Sequence, residues 1–146
     1  MSTPFGPQLI GETEKTLNAL LRRFLEGTGL DESQWVTLRL ADRLDGSVDA
    51  NGLVAAVTER AHFSNAAELV SELARRGLID DGRLTSAGRA MTAGIQTTIA
   101  TTTAPIWETL PEEDVAAATR VLNELMTRAR AVLASGRFSP VSGKNV

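Results

Sequence analysis

Apolar residues in this chain recur at spacings of three and four more often than they alternate. Leu17, Leu20, Leu21, Phe24 and Leu25 follow the i, i+3, i+4, i+7, i+8 rule, which predicts an amphipathic helix. It should run from about Leu9 to Glu26, where Gly27-Thr28-Gly29 stops it, behind an extended lead-in carrying Pro4, Gly6 and Pro7. Trp35, Leu38, Leu40, Ala41 and Leu44 fill a second helix. Its start is marked by Asp31 and Gln34, a capping-box pair in which each side chain reaches the other's backbone N–H. After the turn Asp45-Gly46-Ser47, Leu53, Val54 and Val57 predict a third helix over about Ala50 to Arg60. Ser64 is the expected N-cap of a fourth, with Ala66, Leu69, Val70 and Leu73 as its buried stripe and Gly77 as its stop.

The punctuation then changes. Leu78-Ile79 and Arg83-Leu84 flank Asp80-Asp81-Gly82, and Asp-Gly between short apolar runs predicts a tight hairpin. Thr85 can cap a fifth helix through Met91, Ile95 and Ile99, which Pro105 should kink or end. Six threonines between Thr92 and Thr103 weaken its propensity. In the last helix Pro111 suits the first position, and Glu112, Glu113 and Asp114 suit the positive end of the dipole. Val115, Ala118, Leu122, Leu125, Met126, Ala129 and Leu133 keep its period until Gly136, and a loose tail is expected at 137–146. The plan is mainly α with one short two-stranded hairpin. No internal repeat and no long linker interrupts it, so a single domain over 1–146 is expected.

Composition narrows the chemistry. The chain has 146 residues, 42% hydrophobic and 23% charged, the balance of a globular protein. It has no cysteine and no tyrosine, and His62 is the sole histidine, so disulfides, thiolate metal sites and cysteine nucleophiles are excluded. No Ser/His/Asp spacing, phosphate-cradling glycine loop or ligand cluster is present, and we expect no catalytic site, metal or cofactor. No apolar run approaches a membrane span. The N-terminus lacks a basic start and apolar stretch, which makes the cytoplasm the expected location. The formal charge of −3 gives no general attraction for phosphates.

Two short helices, a helix ending in Gly77-Leu78-Ile79, a hairpin and a further helix resemble the winged helix-turn-helix. In the closest stretch, Asp49 to Met91, Leu53 to Val57 form the supporting helix and Ser64 to Arg76 the recognition helix, and Leu84-Thr85-Ser86-Ala87-Gly88 resembles the Leu-Thr-x-x-Gly closure behind a wing. A long first helix, Trp35 in the second, and Leu110-Pro111-Glu112-Glu113 opening the last extend the likeness over about residues 9–134 to the MarR family of bacterial transcriptional regulators. The resemblance implies a winged lobe at about 31–90, with dimerisation helices at about 9–27 and 91–134. It implies a homodimer on double-stranded DNA, and a small lipophilic or phenolic effector. Ser64, Asn65 and Ala67 would then approach bases, with Glu68 a possible acceptor for cytosine N4. Arg60, Arg75 and Arg83 would hold phosphates. Phe24, Trp35 and Arg39 would line an effector pocket, and Leu122, Leu125, Met126 and Leu133 would form the dimer seam.

This chain departs from that pattern in its wing and its charge. Only Asp80-Asp81-Gly82-Arg83 fill the gap between the Gly77-Leu78-Ile79 strand and the Leu84-Thr85 closure, where the family usually has a longer basic hairpin. Between residues 59 and 90 the cations Arg60, Arg75, Arg76, Arg83 and Arg89 are matched by Glu59, Glu68, Glu72, Asp80 and Asp81, leaving the segment neutral. Such a surface makes few phosphate contacts. A winged-helix module that binds a protein, or a sensor that has lost DNA binding, is therefore the competing reading. His62 reads first as a turn residue. The aromatics and the threonines at 97–103 read first as core and as helix back-bonders, with an effector cavity as their alternative.

Overall fold

The computed structural model describes residues 2–136 and 138; the predicted tail at 137–146 lies, Phe138 apart, outside them. Six α-helices and one small sheet occur in the order α1 (Pro7–Leu25), α2 (Glu32–Leu44), α3 (Ala50–Ala56), α4 (Ala66–Arg75), β1 (Ile79–Asp80), β2 (Arg83–Leu84), α5 (Ser86–Trp107) and α6 (Glu112–Ser135). The strands are antiparallel, with Ile79 opposite Leu84 and Asp80 opposite Arg83. Mainly helical with a two-stranded wing, this is the winged helix-turn-helix that the order of elements along the sequence resembles.

The chain divides into two compact units, Met1–Thr102 and Thr103–Val146. The core of the first gathers Leu38, Leu53, Val57 and Leu73, all at 0% exposure, with Trp35, Leu69, Val70, Leu78, Ile79 and Leu84 around them. Apolar stripes from α2, α3, α4 and the sheet thus converge, and burying such stripes is what holds short helices in place. In the second unit no residue of α6 is buried.

Local signals explain most of the boundaries. Asp31 Oδ1 accepts from the Gln34 N–H at 2.8 Å and the Gln34 amide oxygen accepts from the Asp31 N–H at 2.9 Å, completing the capping box. Thr85 Oγ1 accepts from the Gly88 N–H at 3.0 Å and donates to the Gly77 carbonyl at 2.6 Å. A Cβ at Gly88 would collide with the Leu78 carbonyl. Buried Leu84, capping Thr85 and close-fitting Gly88 supply the physical basis of the Leu-Thr-x-x-Gly closure.

Three local expectations are corrected. The first helix begins at Pro7, and the third is α-helical only to Ala56. It continues as a π-helical turn, Val57–Ala61, with the Val57 N–H shared between the Leu53 and Val54 carbonyls and His62 closing it at φ 59°. Ser64 is not the cap of α4. Asn65 holds that position, at φ −106° and ψ 32°, away from the extended geometry that aims a capping side chain at the next turn. Pro105, expected to kink or end α5, lies inside it two residues before its last residue, Trp107. Near the helix terminus the loss of one N–H costs little, and Glu108 still bonds back to Ala104 at 2.9 Å.

Candidate nucleic-acid interface

The supporting helix α3, its π-helical turn and α4 form the helix-turn-helix. α4 is divided lengthwise. Ala66, Leu69, Val70 and Leu73 are buried against the core, which leaves Ala67, Glu68, Ser71, Ala74 and Arg75 exposed on the opposite face. Ser64 and Asn65 are exposed at its N-terminal end, and no side chain caps that end. Backbone N–H groups with the positive end of the helix dipole suit a phosphate, while an exposed face of this length suits a major groove.

Most nearby cations already have work. Arg75 pairs with Glu72 one turn back on α4. Arg76 donates to the Gly29 carbonyl at 3.0 Å, tying the end of α4 to the α1–α2 turn. The Arg83 guanidinium lies over Gly46 in the α2–α3 turn. Arg60 and Arg89 are exposed and make no ion pair among the described residues. The structure therefore leaves Arg60, Ser64, Asn65, Ala67, Glu68 and Arg75 exposed along one helix-turn-helix, and holds Arg83 against the α2–α3 turn.

A cleft lies between the end of α1 and the first half of α5. Phe24, Gly27 and Thr28 face Ala90, Met91, Gly94, Ile95 and Thr98 across a cleft of about 390 Å³. Of the residues named for an effector pocket, Phe24 lines this cleft, whereas Trp35 and Arg39 are not among its lining residues. Trp35 is 6% exposed, within the core. The Arg39 guanidinium sits 6.0 Å from its ring centroid and 3.3 Å from Asp42 Oδ2, and donates to the Gln96 side-chain oxygen at 2.8 and 3.2 Å. Burial in the core occupies Trp35 and pairing with Asp42 and Gln96 occupies Arg39, and a sequence pattern cannot reveal such pairing. Thr97 and Thr98 bond back to the Ala93 and Gly94 carbonyls.

α6 presents Leu122, Leu125, Met126 and Leu133 at 41, 39, 45 and 57% exposure. Val115, Val121 and Val132 are similarly uncovered. Among the described residues no three His, Asp or Glu side chains gather around a possible metal, and no helix is long and apolar enough to cross a membrane.

Fold and exposed helix together define a winged helix-turn-helix domain, the architecture of DNA-binding transcriptional regulators. The sequence profile of the helix-turn-helix family matches residues 48–138, from the turn before α3 to beyond α6. The chain belongs to that family. No curated protein and no solved structure matches it.

Proposed function

We propose that this protein is a homodimeric, sequence-specific DNA-binding transcriptional regulator of the MarR type, responsive to a small lipophilic effector and without enzymatic activity. The observation that carries the reading is α4, sealed to the core along one side and open along the other. In it, Ser64, Asn65 and Ala67 approach base edges, Glu68 accepts from a cytosine amino group, and Arg60 and Arg75 contact phosphates. Arg75 must exchange Glu72 for phosphate on binding, so the contact is weaker than that of an unpaired arginine. Binding therefore depends on base contacts more than on charge.

Dimerisation is supported by α6. A helix of 24 residues, about 36 Å long, that buries none of its apolar ladder has no reason to stay ordered alone in water. A second copy covering Leu122, Leu125, Met126 and Leu133 supplies the missing partner and spaces two recognition helices along the duplex. The effector reading is supported by the Phe24–Ile95 cleft, apolar apart from Thr28 and Thr98.

A second reading, a helix-turn-helix that binds a protein, is favoured by Glu68 and Glu72 on α4 and by the neutralisation of Arg75. Fluorescence anisotropy separates the two. The duplex upstream of the protein's own gene is titrated at about 50 and about 200 mM salt against a scrambled duplex. Preference for the native duplex with a shallow salt slope supports the regulator. Equal, weak binding to both duplexes by a folded dimer overturns it in favour of the protein partner.

A further inference from the structure

The wing has an unusual attachment. Asp81 and Gly82 have φ of 50° and 84°, the two positive values that a two-residue type I′ hairpin turn requires. The turn does not project from the domain. Asp81 Oδ1 accepts from the Ala50 N–H at 3.1 Å, at the start of α3, beside Asp49 Oδ1 on the Gly52 N–H at 2.9 Å. Gly82 is buried so closely that a Cβ there would stand 2.6 Å from the Asp49 carbonyl oxygen and 2.7 Å from that of Val48. On the other side, a Cβ at Gly46 would meet Arg83 Cζ at 2.6 Å and Nε at 2.8 Å, so the guanidinium covers the chain where it leaves α2. Asp81 places a negative charge at the amino end of α3 and Arg83 a positive charge just beyond the carboxyl end of α2, each the sign that its helix dipole favours. Two residues per strand at about 3.3 Å each give the hairpin a reach of about 7 Å, and that reach is spent against the α2–α3 turn.

We infer that the Asp80–Arg83 wing is an internal brace that positions the helix-turn-helix and makes no contact with DNA, with Asp81 and Arg83 as positioning residues. The inference rests on the DNA-binding reading. It also accounts for the acidic tip, since a carboxylate that caps a helix is of no use against a phosphate. Holding the first turn of α3 fixes the start of the supporting helix, and α3 and its π-helical turn set where α4 begins.

The test uses the full-length protein, Asp81→Ala, Asp81→Asn and Arg83→Gln, and a duplex enriched by the wild type from a randomised pool. Melting temperature, the slope of log Kd against log salt, and the preference for the enriched over a scrambled duplex are measured. The brace predicts that Asp81→Ala and Arg83→Gln each lower the melting temperature by about 2–6 °C. It predicts a preference reduced several-fold at a temperature where all variants are folded, an unchanged salt slope, and recovery in Asp81→Asn, which keeps an acceptor. An Arg83→Gln slope smaller by about 0.9 with unchanged melting marks a lost phosphate contact and overturns the inference. Lowered melting with unchanged preference reduces the wing to a stabilising element and overturns the positioning role. If the wild type enriches no duplex, the DNA reading itself falls and takes the positioning role with it, while the melting series still reports whether the wing is docked.

Discussion

Replacing Gly82 by alanine adds one methyl group, and the structure predicts a large cost for it. Three terms contribute. At φ 84° an L-residue pays about 1–2 kcal/mol for the clash of its Cβ with its own backbone. The same Cβ stands 2.6 Å from the Asp49 carbonyl oxygen and 2.7 Å from that of Val48, so the hairpin must back away by several tenths of an ångström. That movement stretches the 3.1 Å bond from the Ala50 N–H to Asp81, a capping interaction of about 1 kcal/mol. The sum is about 2–4 kcal/mol, a sizeable share of the ~5–15 kcal/mol that holds a typical domain together. Converted at about 3 °C per kcal/mol for a chain of this size, the melting temperature falls by about 6–12 °C. Far-UV circular dichroism at matched protein concentration measures it, since melting depends on concentration for any protein that dimerises. Gly94→Ala is the control with opposite sign. Gly94 lies inside α5, has no positive φ, and offers open space to a Cβ, so alanine there stabilises by about 0.5–1 kcal/mol. If Gly82→Ala melts at or above the wild type, the wing is not docked on the α2–α3 turn and the reasoning fails.

Leu125→Asp, which places a charge in the exposed ladder of α6, is expected to convert a dimer into a monomer and to lower helix content as α6 loses its partner; light scattering behind size exclusion reads the mass, and an unchanged dimer refutes the seam. Asn65→Ala should cost about 1–3 kcal/mol of affinity for the preferred duplex and little for a scrambled one, whereas Arg60→Ala should weaken both and reduce the salt slope by about 0.9. Anisotropy showing equal losses on both duplexes for Asn65→Ala removes it from the base-contacting set. Gly94→Leu fills the cleft beside Phe24 and Ile95 and should abolish ligand-dependent shifts in melting; shifts that survive place any effector elsewhere.

Much of the fold was legible because its determinants are local. The stripe Ala66, Leu69, Val70, Leu73 identifies a helix with one buried face in any context, Asp31 with Gln34 and Thr85 with Gly88 mark helix starts, and Asp81-Gly82 marks the hairpin. Each signal is built from spacings of four residues or fewer, the range over which backbone hydrogen bonds and side-chain neighbours act. What failed was also local in sequence but carried no residue signal. Whether Ser64 or Asn65 begins α4 depends on how many residues the π-helical turn after Val57 consumes, and no residue in 57–61 announces that turn.

The charged residues show the same division more sharply. Composition alone determined that this chain offers no thiolate, one histidine and a neutral segment around its recognition helix, and periodicity determined its helices and the uncovered ladder of α6. Which cations remain available to DNA was decided by tertiary structure. Arg76 is taken by a carbonyl at Gly29, Arg83 by Gly46, and Arg39 by Trp35, Asp42 and Gln96. These partners lie up to 57 residues away, brought within reach by the burial of apolar stripes. Hydrophobic periodicity records which face of a helix turns inward; it carries no record of which polar group will meet a long side chain on the outside.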